Sequence, residues 1–399
     1  MSKLEKKVGI GFIGAGIMAS DYAKKLDKWP EVDVVGIADI SEQRAKDLAK
    51  VVNATPYTDY EEMLKNDSVE AVFVETPDWL HREPVVAAAE AGKHIWQEKP
   101  FATTIEDAKA MYEAVKKAQK TGAKFTMQFE TRWSPINTAF NNIIKWGYVG
   151  EPISADFVLN DRIDVPLRMW TPEARKAKDW RSTVRGSSTV ADFLIVYGFD
   201  LTRMMTGLEA KTVYAKLASK ILKFTPDLYQ ALISFEKDFN AYYKSSWVQA
   251  RSKPALVGLF HNIICTEGTM HYVSSNRTFM TGTGGGEIHF PEDVSMDTLL
   301  EIQEKLKKDG VTSRIIWQSE REWLYRTFWT CKEMNHALCI PGTPGLHQVK
   351  HHDGDQFKNF INCILEDREP FVTIEDAYKN AEAICAIKES AETGKIINL

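Results

Sequence analysis

The sequence predicts an α/β protein: an N-terminal doubly wound parallel sheet of the Rossmann type, then an α/β domain with a large open, mostly antiparallel sheet. Three observations carry this. Short β-branched runs alternate with charged, helix-periodic segments over the first ~125 residues, as βαβ units require. A glycine-rich turn follows the first run directly. Beyond Gln128 the aromatics thicken, and strand-like runs succeed one another with fewer helices between them. At 399 residues the chain is long enough for two domains. We expect them at 1–127, binding a dinucleotide, and at 128–399, binding substrate and carrying oligomer contacts. The boundary is a change of texture, because no Pro-rich linker marks it.

The strands of the first domain are expected at VGIGFIG, VDVVGIAD, AVFVETP, HIWQEKP and KFTMQF. Helices are expected from Ser20 to Leu26, Glu42 to Val52, Tyr60 to Lys65, Glu83 to Glu90 and Ile105 to Lys120. Right-handed crossovers wind such units into one sheet with helices on both faces. In the second domain ISADFVLN, AKTVYAKLA, QALISFE and AYYKSSWV read as successive strands. Two helices close the chain, Asp353 to Leu365 and Ile374 to Thr393, the second capped by Gly394. The glycine run from Gly282 to Glu287 reads as a mobile loop.

Composition narrows the function classes. Hydrophobic residues make up 44% and charged residues 26%, values of an ordinary globular protein. The net charge of −5 offers no basic field to a polyanion, so nucleic acid is not expected as a partner. No apolar run is long enough to span a bilayer, and the glycine-broken start does not read as a signal peptide. Cys265, Cys331, Cys339, Cys363 and Cys385 are odd in number and form no CxxC pair. Reduced thiols, a cytoplasmic location, no disulfides and no structural zinc follow as expectations.

Gly14-Ala15-Gly16-Ile17-Met18-Ala19 follows a strand and opens a helix, the setting a dinucleotide fingerprint requires. Gly14 permits the tight turn, Gly16 leaves room for a pyrophosphate at the helix N-terminus, and Ala19 keeps helix and strand close. Ile17 and Met18 on this turn, with Ile40 after the second strand, are expected against the nucleotide. Asp39 ends that second strand, 23 residues past Gly16. A carboxylate there accepts from a ribose diol and repels a 2′-phosphate, which favours NAD over NADP; Ser41 and Arg44 keep NADP open. Thr76, Pro77 and Asp78, with Trp79 and His81 behind them, fall on the carboxyl edge of another strand and are expected to border the cofactor. For His81 the reading as helix-start packing or a ribose contact outweighs a catalytic one.

Glu98-Lys99-Pro100 puts a lysine at the end of a further strand. Pro100 biases Lys99 toward an extended backbone and permits a cis bond, so the ammonium can be aimed. An ammonium ordinarily holds its proton too tightly to act as a base at neutral pH. Burial and a nicotinamide cation beside it would loosen the proton, and reduction of the ring would restore it, so such a group can alternate as base and acid with hydride transfer.

Taken together, the GxGxxA turn, Thr76-Pro77, Glu98-Lys99-Pro100 and the run Gly186-Ser187-Ser188-Thr189-Val190-Ala191-Asp192 resemble the glucose-fructose oxidoreductase, inositol dehydrogenase and rhizopine catabolism (Gfo/Idh/MocA) family. The stretch from Asp353 to Gly394 is similar to that family's C-terminal helices, so the resemblance covers nearly the whole chain. It implies a pyridine-nucleotide enzyme acting on one carbon of a sugar or polyol, often a homo-oligomer (a dimer or tetramer) joined through its open sheet. One departure stands out. The family's second catalytic element reads Asp, three residues, His, two residues, Asp; here Asp192 and Asp200 are eight apart with no histidine between. If a π-bulge before Tyr197 absorbs the extra residue, Tyr197 takes the histidine's place with Asp200 three further on. If it is absorbed later, Val196 does, and the position is chemically silent. We expect Lys99, Tyr197 and Asp192 as the catalytic set, with the acid/base role open between Lys99 and Tyr197.

Substrate contacts are expected from Lys99, Arg132, Arg162, Trp180, Asp192 and Tyr197, with Glu130, Asp161 and Arg181 nearby. For Glu130 and Arg132 an interdomain salt bridge is an equal reading. The tract holding His347, His351 and His352, with Asp353 and Asp355, has no metal-site spacing, and no metal is expected. The aromatics Trp317, Trp323, Tyr325, Phe328 and Trp329 read as core or subunit interface before a sugar platform. Two other functions stay open: glycoside cleavage through transient oxidation on a retained NAD, and a nucleotide-binding regulator without catalysis.

Overall fold

A computed structural model describes residues 7–169, 189–250, 257–274, 285–291, 294–317, 336–341 and 356–399. Among these the chain divides into two compact units, one from 7–129 and 356–385, the other from residues between 130 and 341 and from 386–399. The break after Phe129 lies beside the boundary expected at 127. The return of 356–385 to the first unit differs from the two continuous spans expected from sequence, and its reason is packing, given below.

The first unit holds six parallel strands, β1 (Val8–Ile13), β2 (Val32–Ala38), β3 (Thr55–Tyr57), β4 (Ala71–Val74), β5 (His94–Gln97) and β6 (Phe125–Met127), in the order β3-β2-β1-β4-β5-β6. Five helices connect them: α1 (Ile17–Leu26), α2 (Glu42–Val52), α3 (Tyr60–Leu64), α4 (Arg82–Glu90) and α5 (Ile105–Gln119). Ser41, Asp59 and Thr104 cap α2, α3 and α5 by accepting a backbone N–H of the first turn. Strand β1 is buried along its whole length, as a central strand covered on both faces must be. The strand order reverses between β1 and β4, which opens a crevice at their carboxyl ends.

On one face of this sheet Phe12, Phe73 and Trp96 stack, with Phe73 and Trp96 centroids 5.2 Å apart. Helix α10 (Gln356–Leu365) closes over them: Phe357 lies 4.6 Å from Trp96, and Phe360 meets both Phe73 and Trp96. All five rings are buried. That apolar cover brings the distant segment back to the first unit. Helix α11 (Ile374–Thr393) follows, and Gly394 ends it at φ +73°.

Among the described residues the second unit has ten strands: β7 (Pro152–Arg162), β8 (Ala210–Ala218), β9 (Leu228–Phe235), β10 (Asn240–Gln249), β11 (Val257–Cys265), β12 (Thr269–Ser274), β13 (Gly285–His289), β14 (Arg314–Trp317), β15 (His336–Pro341) and β16 (Ile397–Asn398). Their order is β14-β15-β13-β12-β11-β7-β10-β9-β8-β16, and among these described strands only β7 and β10 pair in parallel. Alternate residues such as Phe157, Leu159, Tyr229, Ile233 and Tyr243 are buried on one face. Helices α6 (Pro135–Lys145), α7 (Asp164–Met169), α8 (Val196–Thr206) and α9 (Met296–Lys308) complete it. Helix α8 approaches β7 so closely that a Cβ on Gly198 would stand 2.3 Å from the Phe157 ring.

The glycine run expected as a loop is corrected in part, because Gly285, Gly286 and Glu287 lie within β13. A Cβ on Gly286 would come within 2.9 Å of Ile136 and 3.1 Å of Phe140 on α6. Glycine is there for lack of room and not for flexibility. Among the described residues Cys265, Cys363 and Cys385 are free thiols. No described helix is long and apolar enough to cross a membrane.

Candidate active site

Residues expected in the site gather on the carboxyl edge of the first unit's sheet: Gly14 follows β1, Asp39 follows β2, Thr76 and Pro77 follow β4, and Lys99 follows β5. Gly14 holds φ +105°, and a Cβ on it would sit 2.6 Å from the carbonyl oxygen of Glu75. No other residue fits that turn without strain. Gly16 caps α1 with no side chain to satisfy its first amides, and no atom lies within 4 Å of where its Cβ would be. Open space in front of bare N–H groups is what a pyrophosphate needs. Ala19 is fully buried beneath the helix, and Ile17 and Ile40 stand 88% and 92% exposed beside the turn, apolar surface of the kind an adenosine covers.

Asp39 ties the glycine turn to the end of β2. Its Oδ2 accepts from the Ala15 N–H at 2.8 Å, and its Oδ1 accepts from Ser41 N–H at 2.8 Å and from Arg44 Nη2 at 2.9 Å. Partial burial alone would raise its pKa, but the Ser41 and Ala15 amides and the Arg44 hydrogen bond and charge outweigh it and hold the carboxyl below its ordinary value. Arg44, a possible 2′-phosphate ligand from sequence, is thus paired with Asp39. These features fit NAD.

Lys99 is half-buried, its peptide to Pro100 is cis, and its N–H donates to Glu98 Oε2 at 3.0 Å. Glu98 Oε1 accepts from Tyr22 Oη on α1 at 2.7 Å, so the triplet is anchored to the helix that opens the nucleotide turn. Sequence reading did not single out Tyr22, Gln97 or Glu75. Gln97 Nε2 donates to the carbonyl oxygens of Phe101 at 2.7 Å and Pro100 at 3.2 Å. Glu75 is buried with neither carboxylate oxygen hydrogen-bonded, and burial together with the charge of Glu98 pushes its pKa well above the carboxylate range. Its one sequence signal was a charged residue inside an otherwise apolar run, AVFVETP.

His81, expected to border the cofactor, is 1% exposed and faces backbone instead. Its Nδ1 lies 2.9 Å from Pro100 O and its Nε2 3.1 Å from Thr76 O, so it joins the β4 and β5 turns. Burial keeps it neutral by lowering its pKa, against the opposing charge of Asp78 and the carbonyls. Thr76 Oγ1 donates to Leu80 O at 3.2 Å, and Pro77 caps the short turn Asp78–Leu80.

In the second unit the helix carrying Asp192 opens as a π-helical turn, Ala191–Ile195, before α8 begins at Val196. Tyr197 is half-buried while Val196 is 1% exposed. Tyr197 Oη donates to Glu130 Oε1 at 3.2 Å. Glu130 sits on the short turn Glu130–Trp133 with Arg132, whose Nε and Nη2 reach Asp200 Oδ2 and Oδ1 at 2.8 and 2.6 Å. Arg132 and Asp200 are 3% and 1% exposed, so this is a buried, two-pronged pair within one unit and not the interdomain bridge considered above. Asp192 is fully buried: Oδ2 accepts from Thr189 N–H and Oγ1 at 2.7 and 2.8 Å, and Oδ1 from Lys388 Nζ at 2.8 Å. Lys388 carried no signal in sequence, because α11 brings it there. Arg162 pairs with Asp164 at 2.8 Å. Trp180, Arg181, Gly186 to Ser188, His347, His351, His352, Asp353, Asp355 and the aromatics from Trp323 to Trp329 lie outside the described residues, as does the side chain of Trp317.

Two family models match this chain, an oxidoreductase family with an NAD-binding Rossmann fold over residues 8–125 and a Gfo/Idh/MocA C-terminal domain over 139–271. Together they span more than half of it. The chain belongs to the Gfo/Idh/MocA oxidoreductase family. Inositol 2-dehydrogenase of Acidothermus cellulolyticus is 29% identical over 232 residues, 57% of this Gfo/Idh/MocA chain and 62% of that protein. Levoglucosan dehydrogenase of Pseudarthrobacter phenanthrenivorans is 28% identical over 229 residues, 54% and 55% of the two chains. The matched stretches therefore span little more than half the length of these curated relatives. Two solved structures share the fold along nearly the whole length. Levoglucosan dehydrogenase in complex with NADH and L-sorbose has a TM-score of 0.71 at 19% identity, covering 98% of this chain and 99% of that one. The aldose-aldose oxidoreductase from Caulobacter crescentus complexed with glycerol has 0.69 at 19%, covering 99% and 100%.

Proposed function

We propose that this Gfo/Idh/MocA member is an NAD-dependent dehydrogenase that moves a hydride between nicotinamide and a carbinol carbon of a sugar, glycoside or polyol. The carrying observation is the Glu98-Lys99-Pro100 triplet at the carboxyl end of β5, with Glu98 held by Tyr22 and the Lys99 backbone held by Glu98. The relatives named inositol and levoglucosan dehydrogenases support the substrate class. Bound NAD supplies the hydride acceptor. Lys99 and Tyr197, the latter steadied by Glu130, are the two groups able to move the hydroxyl proton, and the acid/base role is open between them. Asp192, with both oxygens engaged by Thr189 and Lys388, orients the helix that carries Tyr197. Arg132 acts through Asp200 to fix the turn bearing Glu130. NAD is favoured over NADP because Asp39 keeps its charge and holds Arg44.

With this reading go a substrate-binding role for residues 128–399, a homo-oligomer, a cytoplasmic location and no nucleic-acid partner. Half-exposed Tyr214, Leu232, Phe260 and Ile264 on strands of the second sheet support the oligomer, and the net charge of −5 supports the last point.

The test follows reduced-nicotinamide absorbance while polyols, aldoses and anhydrosugars are added with NAD. Lys99→Ala is expected to abolish turnover with NAD still bound. Tyr197→Phe is expected to lower kcat by about 10²–10⁴-fold, the usual worth of a positioned proton donor. Full activity in Tyr197→Phe would exclude Tyr197 from that role, and a wild-type protein that binds NAD but oxidises none of these alcohols would overturn the reading.

A further inference from the structure

Strands β12 and β13 run antiparallel with His271 opposite Glu287 and Thr269 opposite His289. Side chains alternate along each strand. Met270 and Ile288 are completely buried on one face, so His271, Glu287 and His289 share the other. Glu287 and His289 are two apart on one strand, and His271 stands across from the first and diagonal to the second. Glu287 Oε2 lies 3.5 Å from His271 Nε2 and 3.4 Å from His289 Nε2. The imidazoles stack almost parallel, centroids 5.5 Å apart at 11°, and ligand atoms from all three side chains lie within 4.8 Å of one another. The side chains are 33%, 17% and 35% exposed, sheltered yet reachable from solvent.

Zinc bonds to imidazole nitrogen and carboxylate oxygen are about 2.0–2.2 Å long, so ligands at tetrahedral angles stand roughly 3.3–3.5 Å apart. Both nitrogen-to-carboxylate separations have that length. We propose that His271, Glu287 and His289 form a divalent-metal site for zinc or a similar first-row ion, which clips β12 to β13 and keeps one position for water. Two nitrogens and one oxygen suit such ions and not magnesium or calcium, which take oxygen ligands. A lone ion pair would need only one imidazole against Glu287. Here two close on the same oxygen. This proposal stands apart from the dehydrogenase reading, and its test needs no turnover.

Full-length protein stripped with chelator and dialysed is titrated with Zn²⁺ by calorimetry and with Co²⁺ by visible absorption. One equivalent with a tetrahedral cobalt spectrum is expected, together with a zinc-dependent rise in Tm that chelator reverses. Losing an outer-shell partner of a metal already costs about 10–100-fold in affinity, so His271→Ala and His289→Ala should each weaken binding by at least that factor. Glu287→Gln keeps the shape and should weaken binding too. Circular dichroism identifies any variant that fails to fold, and His271→Gln, closer in size, then serves in its place. His351→Ala with His352→Ala should leave binding intact. Three results overturn the proposal: no uptake by the wild-type chain at tens of micromolar, unchanged uptake by His271→Ala/His289→Ala, or loss of uptake only in the His351/His352 variant.

Discussion

Glu75 shows how one residue at the sheet edge can set a pH dependence. Burial and the Glu98 charge raise its folded pKa above the unfolded value of 4.5. A carboxyl raised in this way binds its proton more tightly in the folded state, so its favourable share is complete below pH 4.5 and is lost as pH rises through the folded value. Above that value the buried Glu75 carboxylate, to which no donor is hydrogen-bonded, faces the charge of Glu98. Glu75→Gln keeps the shape and removes the charge. It should raise Tm at pH 8 and flatten the fall of stability with rising pH, which for one such carboxyl amounts to up to ~1.4 kcal/mol per pH unit across the window. Thermal melts from pH 5 to 9 check this, and parallel curves for the two proteins would show that Glu75 does not titrate there. His261 is the opposite case: burial, helped by the neighbouring His271, pushes its pKa down to about 3, so it stays neutral beneath the second sheet.

Arg132 and Asp200 act between elements. The turn Glu130–Trp133 and helix α8 meet through this pair and through Glu130 with Tyr197. Asp200→Ala leaves a buried guanidinium without its partner, which costs about 3–5 kcal/mol, whereas Arg132→Met with Asp200→Leu should recover most of that. Urea unfolding of the single and double variants separates these outcomes, and equal losses in both would mean that the pair adds net stability beyond its desolvation. None of the pair's geometry was legible in sequence, because it depends on which way two remote turns face. What was legible is instructive. The ranges of α2 and α11 follow directly from their apolar periods, and the eight-residue spacing of Asp192 and Asp200 foretold the π turn at Ala191–Ile195. Strand β3 escaped because Pro56 interrupts it, which only a sheet edge tolerates, and β3 is that edge. Helix α6 escaped behind its three asparagines, although Ile136, Ala139, Phe140 and Ile143 keep a helical period. The His271, Glu287 and His289 cluster is created by strand register, which no spacing along the chain reveals.

For the whole molecule, the order of the chain matters as much as its motifs. The family match to a Rossmann domain ends at residue 125, yet the face of that sheet bearing Phe73 and Trp96 is covered by Phe357 and Phe360. A ribosome therefore completes the nucleotide-binding unit only after it has made most of the second one. Until then a stacked aromatic surface stands open to water, the kind of exposure that drives association. Truncating such a ring inside a core costs about 3–5 kcal/mol, a large fraction of the stability of any domain. A fragment ending at Phe129 should bind a hydrophobic dye, aggregate as its concentration rises and fail to gain Tm with NAD, whereas the full chain gains it as RT ln(1 + [L]/Kd) requires. Phe357→Ala in the full chain should lower that NAD-saturated Tm, both by opening the core and by loosening Tyr22, whose ring Phe357 meets at 4.7 Å and whose hydroxyl holds Glu98. A monomeric fragment that melts cooperatively and binds NAD as tightly as the full chain would show that the six strands and their five helices suffice alone, and that the C-terminal cover adds stability without completing the fold.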